Sequence, residues 1–277
     1  MNFFDRLQKI DRRVLYVLLA IVVTYATIKP MGLPIKIGKE TQQTYDFINN
    51  LPAGSTVVLM FDYGADAMPE LHTNALAIGK LLFSKGHKVI GAAMWNTGSG
   101  MLNMFFETMT KEFPNLVEGT DWVNVGYKPG GQVWAEKTTV DFIEACAGVD
   151  ANGKPLASMP IFQGIKTSAD TDLFIDLAAG NPGIEELIKT VGAKGTPIIG
   201  AVTAVSITGQ LPALQAGLIK GLQMGMRGAA EMELLVNRPD KAIAGMDAQS
   251  LSHVLLILFI LLGNIGYLAT RQSGAKR

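Results

Sequence analysis

Asp62, Asp66, Glu70 and His72 fall within eleven positions, in the stretch VVLMFDYGADAMPELH that spans residues 57–72. Carboxylates beside an imidazole are the groups that general acid–base catalysis and metal ligation use. Asp66 and Glu70 each also have a structural use. Asp66 suits the cap of a helix starting near Pro69, and Glu70 suits the first turn of that helix, where its charge meets the positive end of the dipole. Glu70 and His72, two apart, diverge on a helix instead of sharing a face. Capping and turn formation are therefore favoured over catalysis for this cluster. The alternative is a small polar-ligand or metal site with Asp62, Asp66 and Glu70 as acceptors.

Other chemistry-bearing stretches are incomplete. NTGSGML (96–102) places Gly98, Ser99 and Gly100 where backbone amides could hold a phosphate, but a full G-x-G-x-x-G would need its third glycine at Asn103. No G-x-x-x-x-G-K-[ST] and no G-x-S-x-G occurs. The three histidines, His72, His87 and His253, form no obvious triad or multi-histidine metal centre, and Cys146 is the only cysteine, so no intramolecular disulfide forms. Asp176, inside the apolar LFIDLAAG, must be paired or lie at a strand end. No cofactor and no metal is expected.

The elements that carry these residues read as an alternation. Thr56–Phe61 and Lys88–Trp95 are apolar runs of a doubly covered strand, with helices from about Pro69 to Phe83 and from Gly98 to Phe113. Trp122–Tyr127, Asp172–Ala178 and Thr196–Val205 read as further strands. Gln132–Cys146, a segment around Ile184–Val191 and the whole of Leu211–Val236 read as helices, and Val149–Gln163 as a loop. Tyr45, Phe47 and Ile48 lie on one side of a helix in KETQQTYDFINN. Strand–helix alternation implies parallel strands, so the fold class is α/β, a Rossmann-like or flavodoxin-like sheet flanked by helices. Ligands gather at the carboxyl ends of such strands, which makes Asp62, Asp66, Trp95, Asn96, Ser99 and Thr203 the candidate ligand-binding set.

Two segments are not globular in composition. Residues 14–31 and 251–270 each read as a transmembrane helix, which leaves a basic N-terminus (1–13), a central domain (32–250) and a basic tail (271–277). Basic residues outside the spans (Arg6, Lys9, Arg12, Arg13, Arg271, Lys276, Arg277) outnumber those facing the middle (Lys29, Lys36, Lys39, Arg238, Lys241). This bias predicts a plasma-membrane protein with both termini cytoplasmic and the domain extracytoplasmic. Between residue 31 and the second span stand sixteen basic and twenty-two acidic side chains, a net of −6, which disfavours a nucleic-acid partner.

In GLIKGLQMGMRGAA, Gly217, Gly221, Gly225 and Gly228 form a small-residue row if the segment is one helix. Such a row serves tight packing on the chain's own sheet or contact between subunits; a homo-oligomer is the sharper expectation. Asn264, between Gly263 and Gly266 in the second span, calls for a hydrogen-bond partner on a neighbouring helix, through Thr24 or Tyr25 or in another molecule. With FDYGADAMPEL, DLAAG, GAVTAV, GMRGAAEME and MDAQSLSHVLLILFILLGN in order, the chain from Tyr45 onward resembles an uncharacterised group of prokaryotic membrane-anchored α/β proteins. The resemblance implies architecture and no activity. Two functions follow as expectations: a non-enzymatic, self-associating membrane scaffold, in contact with the bilayer and with other membrane proteins, or a ligand-binding or hydrolytic domain with a crevice at the strand ends.

Overall fold

The computed structural model describes residues 11–274, with side chains as far as Leu268. Arg6, Lys9, Lys276, Arg277 and the side chain of Arg271 lie outside the described residues. The chain forms two compact units, one of residues 35–242 and one made of the segments on either side of it.

In the α/β unit, six parallel strands are described: β1 (Thr56–Asp62), β2 (Lys88–Ala93), β3 (Trp122–Tyr127), β4 (Leu173–Ala178), β5 (Ile198–Val202) and β6 (Gly221–Met224). Their order is β3-β2-β1-β4-β5-β6. This is the doubly wound order with a switch point between β1 and β4, and it selects the Rossmann-like of the two expected windings. Apolar residues point both ways along β1. Val57, Leu59 and Phe61 enter one core and Val58 and Met60 the other, because successive side chains of a strand alternate between faces. Helices α2 (Lys39–Asn49), α3 (Met68–Ser84), α4 (Gly98–Glu112) and α9 (Gly225–Leu235) cover the first face. The opposite face carries α5 (Gln132–Thr138), α6 (Phe142–Ala145), α7 (Ile184–Lys189) and α8 (Ile207–Gln215). The expected helix over 132–146 is broken in two, with Asp141 capping α6 through the Glu144 amide at 2.8 Å.

The largest departure from the sequence reading is at residues 211–236, which are helix, turn, strand and helix in place of one helix. Gly217 takes φ +72 in the turn and Gly225 φ +57 at the start of α9, conformations that a helix interior does not contain. Gly221 lies in β6, where a Cβ would collide with Thr44 of α2. Only Gly228 lies in a helix interior. The four glycines do not share a helical face, and the packing row expected from their spacing is withdrawn.

In the second unit, α1 (Arg12–Ile28) begins at Asp11, whose carboxylate accepts the Arg13 amide at 2.9 Å. It ends at Lys29, because a residue before proline is driven out of the helical region. At 17 residues α1 is shorter than the expected 14–31 span, with a rise of about 26 Å. The other helix, α10 (Lys241–Gly274), starts ten residues earlier than the expected second span. Among the described residues, one helix, within Lys241–Leu268, is long and apolar enough to cross a membrane. Its Asn264 donates to the Ile260 carbonyl one turn back at 2.8 Å, so the side chain found its partner on its own helix and not on α1. Asp247 of α10 is buried and accepts the amides of Met31, Gly32 and Leu33 at 2.6, 2.8 and 2.9 Å.

Candidate functional site

At the switch point, Asp62 ends β1 and Asp176 lies in β4 opposite Met60, with both carboxyls on the same sheet face. Both side chains are fully buried. Asp62 Oδ1 accepts the amides of Met94 and, at 3.0 Å, Trp95. Asp62 Oδ2 and both Asp176 oxygens meet no backbone or other side-chain donor. They lie side by side on that face, Asp62 two positions beyond the Met60 that stands opposite Asp176. Burial raises the pKa of both groups, to about 7 for Asp62, and the hydrogen bond between them lowers Asp62 while raising Asp176. Asp62, gripped by two amide donors, is the more anion-like of the pair, so a single proton between them belongs to Asp176. The nearby charge of Glu186 pushes both values further up.

Two loops meet over this pair. From the β2–α4 side, the half-buried Trp95 donates its indole N–H to the Pro182 carbonyl at 2.8 Å. From the β4–α7 side come Gly180, near the indole ring, and the cis Asn181–Pro182 peptide. Gly183 donates to Glu186 at 2.7 Å, and a Cβ at Gly183 would stand 3.5 Å from Asp176 Oδ2. Beside these loops a cleft of about 310 Å³ opens between the ends of β4 and β5, lined by Ala178, Gly180, Asn181, Ile184, Val202, Val205, Ser206, Thr208, Gly209 and Gln210. Its polar groups are hydroxyls, amides and main chain, with no ionisable side chain.

The structure separates the residues that spacing grouped together. Asp62 and Trp95 meet at the pair. Thr203 stands at the end of β5, its hydroxyl 3.2 Å from that of Ser206, at the cleft edge. Asn96 and Asp66 are exposed and line no part of the cleft, and the Ser99 amide closes a turn onto the Asn96 carbonyl. Asp66 sits in a short turn ahead of α3 and makes no capping hydrogen bond to it, contrary to its expected role. Glu70 does occupy the first turn of α3, but its carboxylate accepts the Ala204 amide at 2.7 Å, which ties the β5–α8 loop to the opposite helical layer. His72 is buried and 2.9 Å from the Tyr63 hydroxyl; burial, with Lys241 second, pushes its pKa down to about 4 and leaves it neutral. Gly98 serves close packing, since a Cβ there would meet the Phe61 carbonyl.

Sequence reasoning singled out Asp62 and Asp176 but missed their partnership, because 114 positions separate them. The legible signal was a carboxylate at the end of one apolar run and another inside a second; strand order supplies the rest. Among the described residues, no group of three or more His, Cys, Asp or Glu side chains is placed to hold a metal ion. Comparison with protein-family models, with curated proteins and with solved structures found no match.

Proposed function

We propose that the protein is a membrane-anchored binding protein whose α/β domain takes a small, uncharged, hydroxyl- or amide-bearing ligand in the cleft at the β4 and β5 ends. The observation that carries this reading is the composition of the cleft. Hydroxyls, amides and main chain face it, while the nearby acids and the histidine are engaged in structural hydrogen bonds. Such walls give orientation by hydrogen bonding but supply no general base to activate the Ser206 or Thr208 hydroxyl. Self-association through the glycine row forms no part of the proposal, since those glycines do not share a face. The anchor is a pair of spans, α1 and α10, with both termini cytoplasmic and the domain extracytoplasmic; the Asp247 contacts that join α10 to the segment after α1 support it.

The test is thermal unfolding of the detergent-solubilised full chain against a panel of neutral polyols, amides and nucleosides. A ligand that raises Tm in the wild type but not in Thr208→Trp, which fills the cleft from its exposed wall, supports the proposal. No response to any of the panel, or an equal response in both proteins, removes it, and conversion of the ligand to a product makes the domain an enzyme instead.

A further inference from the structure

We propose that the proton shared by Asp62 and Asp176 is a latch: it holds the Trp95 loop against the 179–183 loop across the switch point, and its loss parts the loops and opens the neighbouring cleft. The ligand-gating part of this inference rests on the binding function proposed above; the latch itself does not. Its geometry is specific. Asp62 grips the Trp95 loop directly, through the Met94 and Trp95 amides. Asp176 lies beneath Gly183 of the other loop. The same two loops are joined on their outer side by the Trp95 indole and the Pro182 carbonyl. Gly180 and Asn181 of the second loop are also cleft walls, so movement there alters the cleft.

With the proton in place, one carboxyl donates to the other and the pair is satisfied. Without it, two anions lie side by side in a site closed to water, and each repels the other along the line that separates the loops. The surroundings offer no cation to absorb that charge. From α7, Glu186 adds a third carboxylate, while Glu185 and Lys189 pair loosely with each other at 3.9 Å. Met94, Trp95 and Asn96 of the β2–α4 loop and residues 179–183 carry no charge. The β3–α5 loop, which reaches Pro182 through Gly131, contributes Lys128, and this ammonium is held on the Cys146 carbonyl at 2.8 Å. β5 carries no charge, and the one charged residue of β2, Lys88, stands opposite Thr56 at the far end of β1.

Trp95 reports on its own loop, so the test needs no ligand. Intrinsic fluorescence of the full chain in detergent is followed from pH 6 to 11, with Trp95→Phe measured alongside to subtract Trp122 and Trp134. The expected result is a Trp95-dependent red shift on the alkaline side of neutrality, where Asp176 gives up the shared proton after Asp62 has ionised, with far-UV circular dichroism unchanged. In Asp176→Asn the side-chain amide donates to Asp62 permanently, and the transition should vanish from this range. A flat Trp95 signal in folded wild type, or the same transition in Asp176→Asn, overturns the latch. Deuterium exchange of wild type is the second readout should the variant fail to fold. Exchange across residues 93–99 and 178–184, corrected for the intrinsic rate, should rise by roughly tenfold per pH unit once the proton is lost. Exchange that does not change overturns the proposal equally. A cleft that binds nothing leaves the latch standing, and a ligand that binds a pH-insensitive protein defeats the latch alone.

Discussion

At the scale of single residues, the buried carboxyl pair sets how stability depends on pH. Both folded-state pKa values are raised above the ordinary carboxylate value of 3.8, so the folded chain keeps protons that the unfolded chain has already released. Below that value the pair's contribution is constant. As pH rises from about 4 the unfolded state binds fewer protons than the folded one, and stability falls by up to about 1.4 kcal/mol per pH unit for each carboxyl. For Asp62 the decline ends near 7, whereas Asp176 carries it further. Asp176→Asn removes one of the two titrations. Its melting temperature should exceed that of wild type at pH 8 and lie closest to it at pH 4, as thermal melts across this range would record; a parallel pair of curves would refute the assignment. The Tyr63–His72 contact yields a second prediction. Tyr63→Phe removes the hydroxyl bonded to the buried His72 imidazole and should cost about 1–3 kcal/mol in chemical denaturation, with Leu71→Ala in the same core as a packing control. Neither pairing was legible beforehand. Asp62, Asp176 and His72 were visible as unusual residues, but a buried polar group is defined by its partner, and the partner of Asp62 is chosen by which strands lie side by side.

Elements were legible where the chain repeats one physical pattern for long enough. β1, β2, β4 and β5 are apolar on both faces and lie between turn-forming residues, so composition alone marks them. β6 has four residues, GLQM, with a glycine before and a glycine after at the spacing of a helical face, and a strand that short leaves no periodicity to read. The correction moves Gly221 from a supposed helix surface to an edge strand pressed on α2. Gly221→Ala should therefore lower the melting temperature, by about 1–3 kcal/mol in stability, because the added methyl overlaps the Thr44 side chain. Size determination in detergent should show the same particle for both proteins. A variant with unchanged stability and a dissociated particle would instead return the glycine to an intersubunit contact. Glu70 illustrates the same limit, since its place on α3 was legible but its hydrogen bond to the β5–α8 loop depends on where that loop returns.

On the scale of the whole molecule, buried carboxylates hold the joints of the chain. Glu231 accepts the Gly38 amide at 2.9 Å where the chain enters the α/β unit, and Glu233 accepts the amides of Asp240 and Ala242 at 2.9 Å where it leaves. In the apolar unit, Asp247 does the same for residues 31–33, where Gly32 at φ +63 turns three successive amides toward one carboxylate. This arrangement brings the exit of α1 and the entry of α10 to one place. If both helices cross the bilayer they then run antiparallel, and the chain ends fall on the same side, as the excess of Lys and Arg outside the spans also requires. The consequence is checkable with cysteines placed singly at Lys154 and Ser273 in a Cys146→Ala background. A membrane-impermeant thiol reagent applied to intact cells should label the cysteine at 154 and leave that at 273 unlabelled until the membrane is opened. Labelling at 273 alone inverts the orientation, and labelling at both shows that α1 does not cross. Asp247→Ala then isolates the clamp: three amides lose their acceptor, and proteolysis between residues 29 and 38 should quicken while the labelling pattern holds, because charge on the flanks sets orientation and the carboxylate only fixes the turn.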